Sequence, residues 1–363
     1  MEWDMMQKTM PLVHGGDWAG FEMEYGAPPL DFSSNVSPLG LPEGVRLAAA
    51  EALRDAERYP DPLCRELRRA IAEAEGVNED WCLCGGGSAD LIYRAALAVR
   101  PRRALVTAPT FAEYEAALGL VRCETAHYPL KEETGFALDK NFPSAITPDT
   151  DMVFLCQPNN PTGRTVSRSL LTAVLDRCRE ARALLVVDEC FCDFLDDPGT
   201  HTMKEFLGEY ENLLILKAFT KTYAMAGLRL GYCLCACASL LDAMRNAGQP
   251  WAVSGPAQAA GAAALRETEY VHAVRALISQ ERPWLKSELT RLGFKVIPGE
   301  ANYLLFFSSE PLAGPLRRRG ILLRDCGNYQ GLGSGWYRAA VRTHEENCQL
   351  TAALADIRKE AGR

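Results

Sequence analysis

From residue 104 to residue 235, short apolar runs alternate with stretches of helical period, and this alternation restricts the chain to a strand–helix–strand plan. Residues 104–107 (ALVT), 152–156 (MVFLC), 183–187 (ALLVV), 213–216 (LLIL) and 230–235 (LGYCLC) have the length and character of buried strands. Helices are expected from the glycines at 85–87 to about Val99, and in the intervals ending near Leu120 and Ala181. The residues that break the runs carry the polar chemistry. They include Pro109-Thr110-Phe111, Asn159-Asn160-Pro161, Asp188-Glu189 and Thr220-Lys221. Open sheets of this kind bind ligands outside the carboxyl ends of their strands, so function is expected at these breaks.

The flanks read differently. Residues 1–40 read as loops around a short strand, and residues 42–57 as a helix broken by Arg58-Tyr59-Pro60-Asp61-Pro62. A second helix runs to about Glu75, and residues 254–291 read as one long helix. Beyond it come a strand pair within 294–307, a helix at 312–320, strands at 321–324 and 336–342, and a closing helix at 344–359. The expected fold is therefore α/β, with a mostly parallel central sheet in a large domain (41–250) and a smaller α+β domain (251–363). An N-terminal segment (1–40) is expected to pack with the smaller domain. A chain of 363 residues is long enough for both.

A net charge of −8 argues against nucleic acid or an acidic membrane as the main partner. An anionic ligand would then depend on local arginines. The first residues, MEWDMMQKTMPLVHGG, lack a basic stretch followed by an apolar core, and no apolar run approaches membrane-spanning length. A cytoplasmic protein is expected. The thirteen cysteines include Cys82-x-Cys84, Cys190-x-Cys192 and Cys233-x-Cys235-x-Cys237, but no matched pair of CxxC motifs. No metal site is expected, and the thiols read as mostly buried and free.

Lys221 follows a buried strand, where an amine loses hydration and its pKa falls, as suits a nucleophile that bonds a carbonyl. Arg229, eight residues on, returns a fixed charge to the same pocket; Lys217 is the competing lysine. Gly85-Gly86-Gly87-Ser88-Ala89 at a helix start offers N–H groups to a phosphate, without the spacing of a nucleotide-binding loop. Asp188 ends an apolar strand and requires a cation, either a protonated heterocyclic nitrogen or an arginine. Asn160 has an amide for a phenolic oxygen, and Phe111 a face for a planar ring. Taken singly, each has a plainer account: turn chemistry for Asn160 and the glycines, core packing for Phe111, and an exposed loop for Lys221.

Taken in order, Asn160-Pro161-x-Gly163, Asp188, Thr220-Lys221 and Arg229 resemble the signature of the fold-type I pyridoxal-phosphate enzymes across nearly the whole chain. The resemblance implies that Lys221 bonds covalently to pyridoxal 5'-phosphate and that Asp188 pairs with its ring nitrogen. Asn160 would hold the ring hydroxyl and Phe111 stack on the ring. Ser88, Ala89, Thr220 and Arg229 would hold the phosphate. Within that superfamily the chain is similar to histidinol-phosphate aminotransferases and to the L-threonine-O-3-phosphate decarboxylases of cobalamin biosynthesis. The ends carry the likeness to the decarboxylases: His14-Gly15-Gly16, Phe32-Ser33-Ser34-Asn35, Arg324 with Asn328-Tyr329-x-Gly331-Leu332, and Arg338 through Asn347. It implies that His14, Gly15, Asn35, Asn160, Arg324 and Arg338 contact the phosphate or carboxylate of a small phosphorylated amino acid. Without the resemblance, surface ion pairing is the plainer account of the two arginines.

The motif Arg58-Tyr59-Pro60 resembles the segment that in this family sends a tyrosine to the neighbouring subunit's cofactor phosphate, so a homodimer is expected, with Tyr59 a cofactor ligand in trans. Ala218 stands where relatives usually carry Ser or Thr, Gly86 where Asn is frequent, and Phe191 where aminotransferases often have Tyr. The implied reaction is decarboxylation of threonine phosphate. Its rivals are decarboxylation of O-phosphoserine, transamination of the histidinol-phosphate type, and a non-catalytic protein that binds the same ligands.

Overall fold

The computed structural model describes residues 14–362, so the first thirteen residues of the expected N-terminal segment lie outside the described residues. Its largest element is a seven-stranded sheet. The strands lie side by side in the order Cys82–Gly85, Gly231–Leu234, Leu213–Ala218, Leu184–Asp188, Met152–Cys156, Arg103–Ala108 and Glu124–Pro129. Gly231–Leu234 is antiparallel to both of its neighbours, and the other pairings are parallel.

The central strands are apolar on both faces because both faces are covered. Val153, Leu155, Leu185, Val187, Leu213 and Ile215 belong to one core. Their alternates Met152, Phe154, Leu184, Val186, Leu214 and Leu216 belong to the other. A period of two divides each run between the layers. Full burial of a Leu or Ile is worth roughly 1.5–3 kcal/mol over exposure, so these strands are the rigid base from which the following loops project.

A second, four-stranded antiparallel sheet has the order Arg324–Asp325, Trp336–Ala340, Tyr303–Phe307, Lys295–Val296. The helices Thr268–Arg291 and His344–Glu360 pack on it through Val274, Ile278, Leu285, Leu350, Leu354 and Ile357. Leu30–Asp31 pairs in parallel with Ile321–Leu322, which brings the first described residues alongside the last third of the chain.

The elements depart from the sequence reading in several places. Residues 14–40 hold a helix, Trp18–Tyr25, with Asp17 accepting from the Gly20 N–H as its cap. The long helix expected over 254–291 is two, Gly255–Ala264 and Thr268–Arg291, separated at residues 265–267. The strands Cys82–Gly85 and Glu124–Pro129 and the helix Ala238–Ala247 were not among the expected elements. Glu124–Pro129 is half-exposed at the sheet edge, where no apolar run is required.

Candidate active site

The expected site residues converge on one cavity, of about 170 Å³, at the carboxyl ends of the large-sheet strands. Ser88 and Ala89 open the helix that follows Cys82–Gly85, Phe111 follows Arg103–Ala108, and Asn160 follows Met152–Cys156. Asp188 ends its strand, and Thr220 and Lys221 lie in the short helix Phe219–Thr222. His14, Gly15, Asn35, Arg229, Arg324 and Arg338 complete the lining. Tyr59 is not in this cavity; it is 80% exposed and packs against Trp251 at 4.6 Å between ring centroids.

The two lysines have opposite environments. Lys217 is buried, with Nζ 3.0 Å from Glu75 and 3.1 Å from Asp193. Burial disfavours its charge, but those carboxylates override burial and raise its pKa well above the ordinary value. Lys221 lies in the cavity with Arg338 and Arg229. Burial and these two like charges push its ammonium down to about 8, against the pull of Asp188. Lys221 is thus the lysine with an available amine near neutral pH, while Lys217 is held as a cation in a second cavity bordered by Glu75, Asp193 and Lys204.

Asp188 is buried. Its Oδ1 accepts from the Cys190 N–H at 3.0 Å and its Oδ2 from the Tyr114 hydroxyl at 2.7 Å. Asn159 rather than Asn160 performs the turn chemistry. Its amide donates to the Pro109 carbonyl and to Thr162 Oγ1, both at 3.0 Å, and accepts from Thr110 Oγ1 at 2.9 Å. This frees Asn160 to face the cavity, where its Oδ1 accepts from Arg338 Nη1 at 2.5 Å.

The far wall comes from the chain's two ends. Asp31 organises the loop after it, accepting from the Ser33 N–H at 2.7 Å, from the Ser33 and Ser34 hydroxyls, and from Trp18 Nε1 at 2.8 Å. Gly15 is held against this loop: a Cβ there would lie 2.3 Å from the Ser33 carbonyl oxygen, so only glycine permits the approach. Arg338 Nη2 donates to the Ser33 carbonyl at 2.8 Å, Arg324 Nη2 to Asn328 at 2.7 Å, and His14 Nε2 lies 2.6 Å from Glu113. Asn35 is buried with Oδ1 unpartnered.

Gly87 and Gly231 make room for an anion. Gly87 has φ +97°, and a Cβ on it would stand 2.7 Å from Arg229 Nη2. A Cβ on Gly231 would stand 2.6 Å from the Ser88 nitrogen. The strand, the helix start and the guanidinium therefore close around the N–H groups of Ser88 and Ala89. Phe191 also lines the cavity, with Lys221 Nζ 5.8 Å from its ring centroid. Tyr114 and the Asp31 network were not legible as parts of the site. The one local signal was the spacing of Phe111 and Tyr114, which places two aromatics at a helix start.

A lysine just past a strand end, a buried acid lining the same cavity and an anion cradle between helix start and arginine define a pyridoxal-phosphate enzyme of fold type I. The chain matches the aminotransferase class I and II family over residues 27–354 and belongs to it. It is 37% identical to the threonine-phosphate decarboxylase of Salmonella typhimurium, over 95% of this chain and 96% of that one. It is 34% identical to a histidinol-phosphate aminotransferase of Symbiobacterium thermophilum, over 96% of each. The crystal structure of L-threonine-O-3-phosphate decarboxylase from Porphyromonas gingivalis superposes with a TM-score of 0.78 at 25% identity, covering 91% of this chain and 99% of that one.

Pyridoxal 5'-phosphate fits the residues present. Lys221 would hold its aldehyde carbon, Asp188 its ring nitrogen, Asn160 its ring hydroxyl and Phe111 its face, with Ser88, Ala89, Thr220 and Arg229 on its phosphate. When bound, it supplies a carbonyl that bonds an amine and a ring that withdraws electrons from the substrate's Cα. Asp188→Asn is expected to keep the cofactor while lowering turnover by about 100-fold or more, the scale of losing one electrostatic partner of the reacting group. Near-normal turnover with a loaded site would show that Asp188 has another task.

Proposed function

We propose that this chain decarboxylates L-threonine O-3-phosphate to 1-amino-2-propanol phosphate, a step the resemblance assigns to cobalamin assembly. The observation that carries the reading is the cross-strand pair Arg324 and Arg338. They face each other in register, and both are buried. Like charges directly opposite on neighbouring strands repel. The side-chain hydrogen bonds of Arg338 go to neutral oxygens of Asn160 and Ser33. A buried guanidinium whose hydrogen bonds go to neutral oxygens suits an anionic group, and a phosphorylated amino acid brings one to it. The threonine-phosphate decarboxylase relative supports the same choice.

In this reading Arg338, braced by Asn160, receives one anionic end, and Arg324, His14 and Asn35 receive the other. Fixing both ends would set the torsion at Cα and so select which bond there breaks. For decarboxylation that bond leads to the carboxylate. Lys221, whose amine would hold the cofactor, lines the cavity where it could move protons at Cα. The test is product analysis: threonine phosphate should release carbon dioxide and give the amino-alcohol phosphate with no keto acid present. Faster turnover of histidinol phosphate with a keto acid would replace this reading by transamination, which the Symbiobacterium relative keeps as the second choice. O-Phosphoserine belongs in the same assay.

We also infer a cytoplasmic homodimer, with the domain boundaries near residues 40 and 250 given above. Among the described residues no helix is long and apolar enough to cross a membrane. Tyr59 and Trp251, 80% and 44% exposed, form an aromatic pair suited to burial against a second copy. Sedimentation is expected to give a dimer, and Tyr59→Ala to weaken cofactor retention through the neighbouring site. An active monomer would remove this inference.

A further inference from the structure

Tyr114 is fully buried and stands behind the cavity. It begins to matter when its neighbours are traced. Its hydroxyl donates to Asp188 Oδ2 at 2.7 Å, across 74 residues of sequence. Its ring stacks on Phe154, with centroids 4.8 Å apart and planes 12° apart. Its edge meets Phe111 at 5.7 Å and 84°. A core site that needed only volume would be filled by phenylalanine, because a buried hydroxyl costs free energy unless it is bonded. Here the hydroxyl meets an acid, and a bond to a charged acceptor is among the stronger ones.

We propose that Tyr114 is the positioning residue of Asp188. With the Cys190 N–H on Oδ1, the Tyr114 hydroxyl on Oδ2 fixes the plane of the carboxylate and directs its remaining lone pairs to the cavity. The same ring supports Phe111, so one side chain sets both the acid at the ring nitrogen and the aromatic on the ring's face. Tyr114 itself touches neither cofactor nor substrate. The inference rests on the assignment of Asp188 to the ring nitrogen and is independent of which phosphorylated amine is the substrate.

Tyr114→Phe keeps the stack on Phe154 and removes only the hydroxyl. In the holoenzyme its cofactor dissociation constant is expected to rise by about 10-fold, the usual scale for a hydrogen bond to a charged group. Turnover should fall by a similar factor, with KM for the amino substrate unchanged. The ¹⁵N resonance of a ring-labelled cofactor should move toward the unprotonated position, which a merely structural role would not produce. Should Tyr114→Phe fail to fold, 3-fluorotyrosine placed at position 114 supplies a stronger donor of nearly the same shape and should also shift the ¹⁵N resonance. An unchanged resonance and unchanged cofactor affinity, beside a lower Tm, would overturn the proposal. Asp188→Asn is the companion measurement. If it too leaves the resonance in place, the Asp188 assignment is what fails; if it shifts the resonance and the changes at position 114 do not, only the role of Tyr114 fails.

Discussion

Replacing Lys221 by alanine is expected to lower turnover by about ten-thousand-fold or more, the scale of removing a group that is both nucleophile and proton carrier. The cavity should still take up pyridoxal phosphate, because the anion cradle at Ser88, Ala89 and Arg229 does not involve the lysine. In the unaltered protein, borohydride should abolish the visible absorption of the bound cofactor and leave a pyridoxyl group on Lys221. Peptide mapping that found the label on Lys217 would sink the assignment. The expectation follows from environment: the amine of Lys221 is pushed down to about 8, whereas Lys217 is held as a cation between two carboxylates.

The second large effect concerns Lys217. Lys217→Met leaves Glu75 and Asp193 without their shared cation, and breaking a buried pair of this kind costs roughly 3–5 kcal/mol of stability. Arginine at the same place should recover much of the loss. The deficit should depend on pH with a defined sign. Burial pushes Glu75 up, but Lys217, the Tyr232 hydroxyl and Lys204 together hold it at about 2, below the ordinary 4.5. A depressed carboxylate contributes stability that is fully present above its unfolded pKa and is lost as pH falls through the folded one. The native protein should therefore lose this contribution between about pH 4.5 and 2. The difference from Lys217→Met should be largest near neutrality and shrink in that window. Equal denaturation midpoints at neutral pH would show that the pair contributes nothing.

The parts of the site that were legible in the sequence are those whose place follows from a strand end. Asp188 and Lys221 each close an apolar run, and burial of that run fixes where the next residues emerge. Strand direction is another matter. Residues 230–235 carry the same apolar pattern as their neighbours, yet Gly231–Leu234 runs antiparallel to them, because an apolar run buries equally well either way. Tyr114 was illegible because its hydrogen bond to Asp188 is purely tertiary. Asp31 was illegible because a carboxylate that organises its own loop looks, in sequence, like any polar turn residue. Lys217 shows the opposite case: its nearness to Lys221 made it a rival, and only the carboxylates of Glu75 and Asp193, distant in sequence, settle its role.

Arg338 reaches Asn160 and the carbonyl of Ser33, so the wall over Lys221 joins residues from the beginning, middle and end of the chain. This has a consequence during synthesis. The ribosome delivers Asp188 and Lys221 well before Arg324 and Arg338. A chain interrupted between them carries Lys221 and Asp188 without the guanidiniums proposed above to orient a substrate. On that proposal, directed chemistry becomes available only once Arg338 has emerged and closed onto residues made at the start, and an incomplete chain is expected to be inactive rather than altered in selectivity.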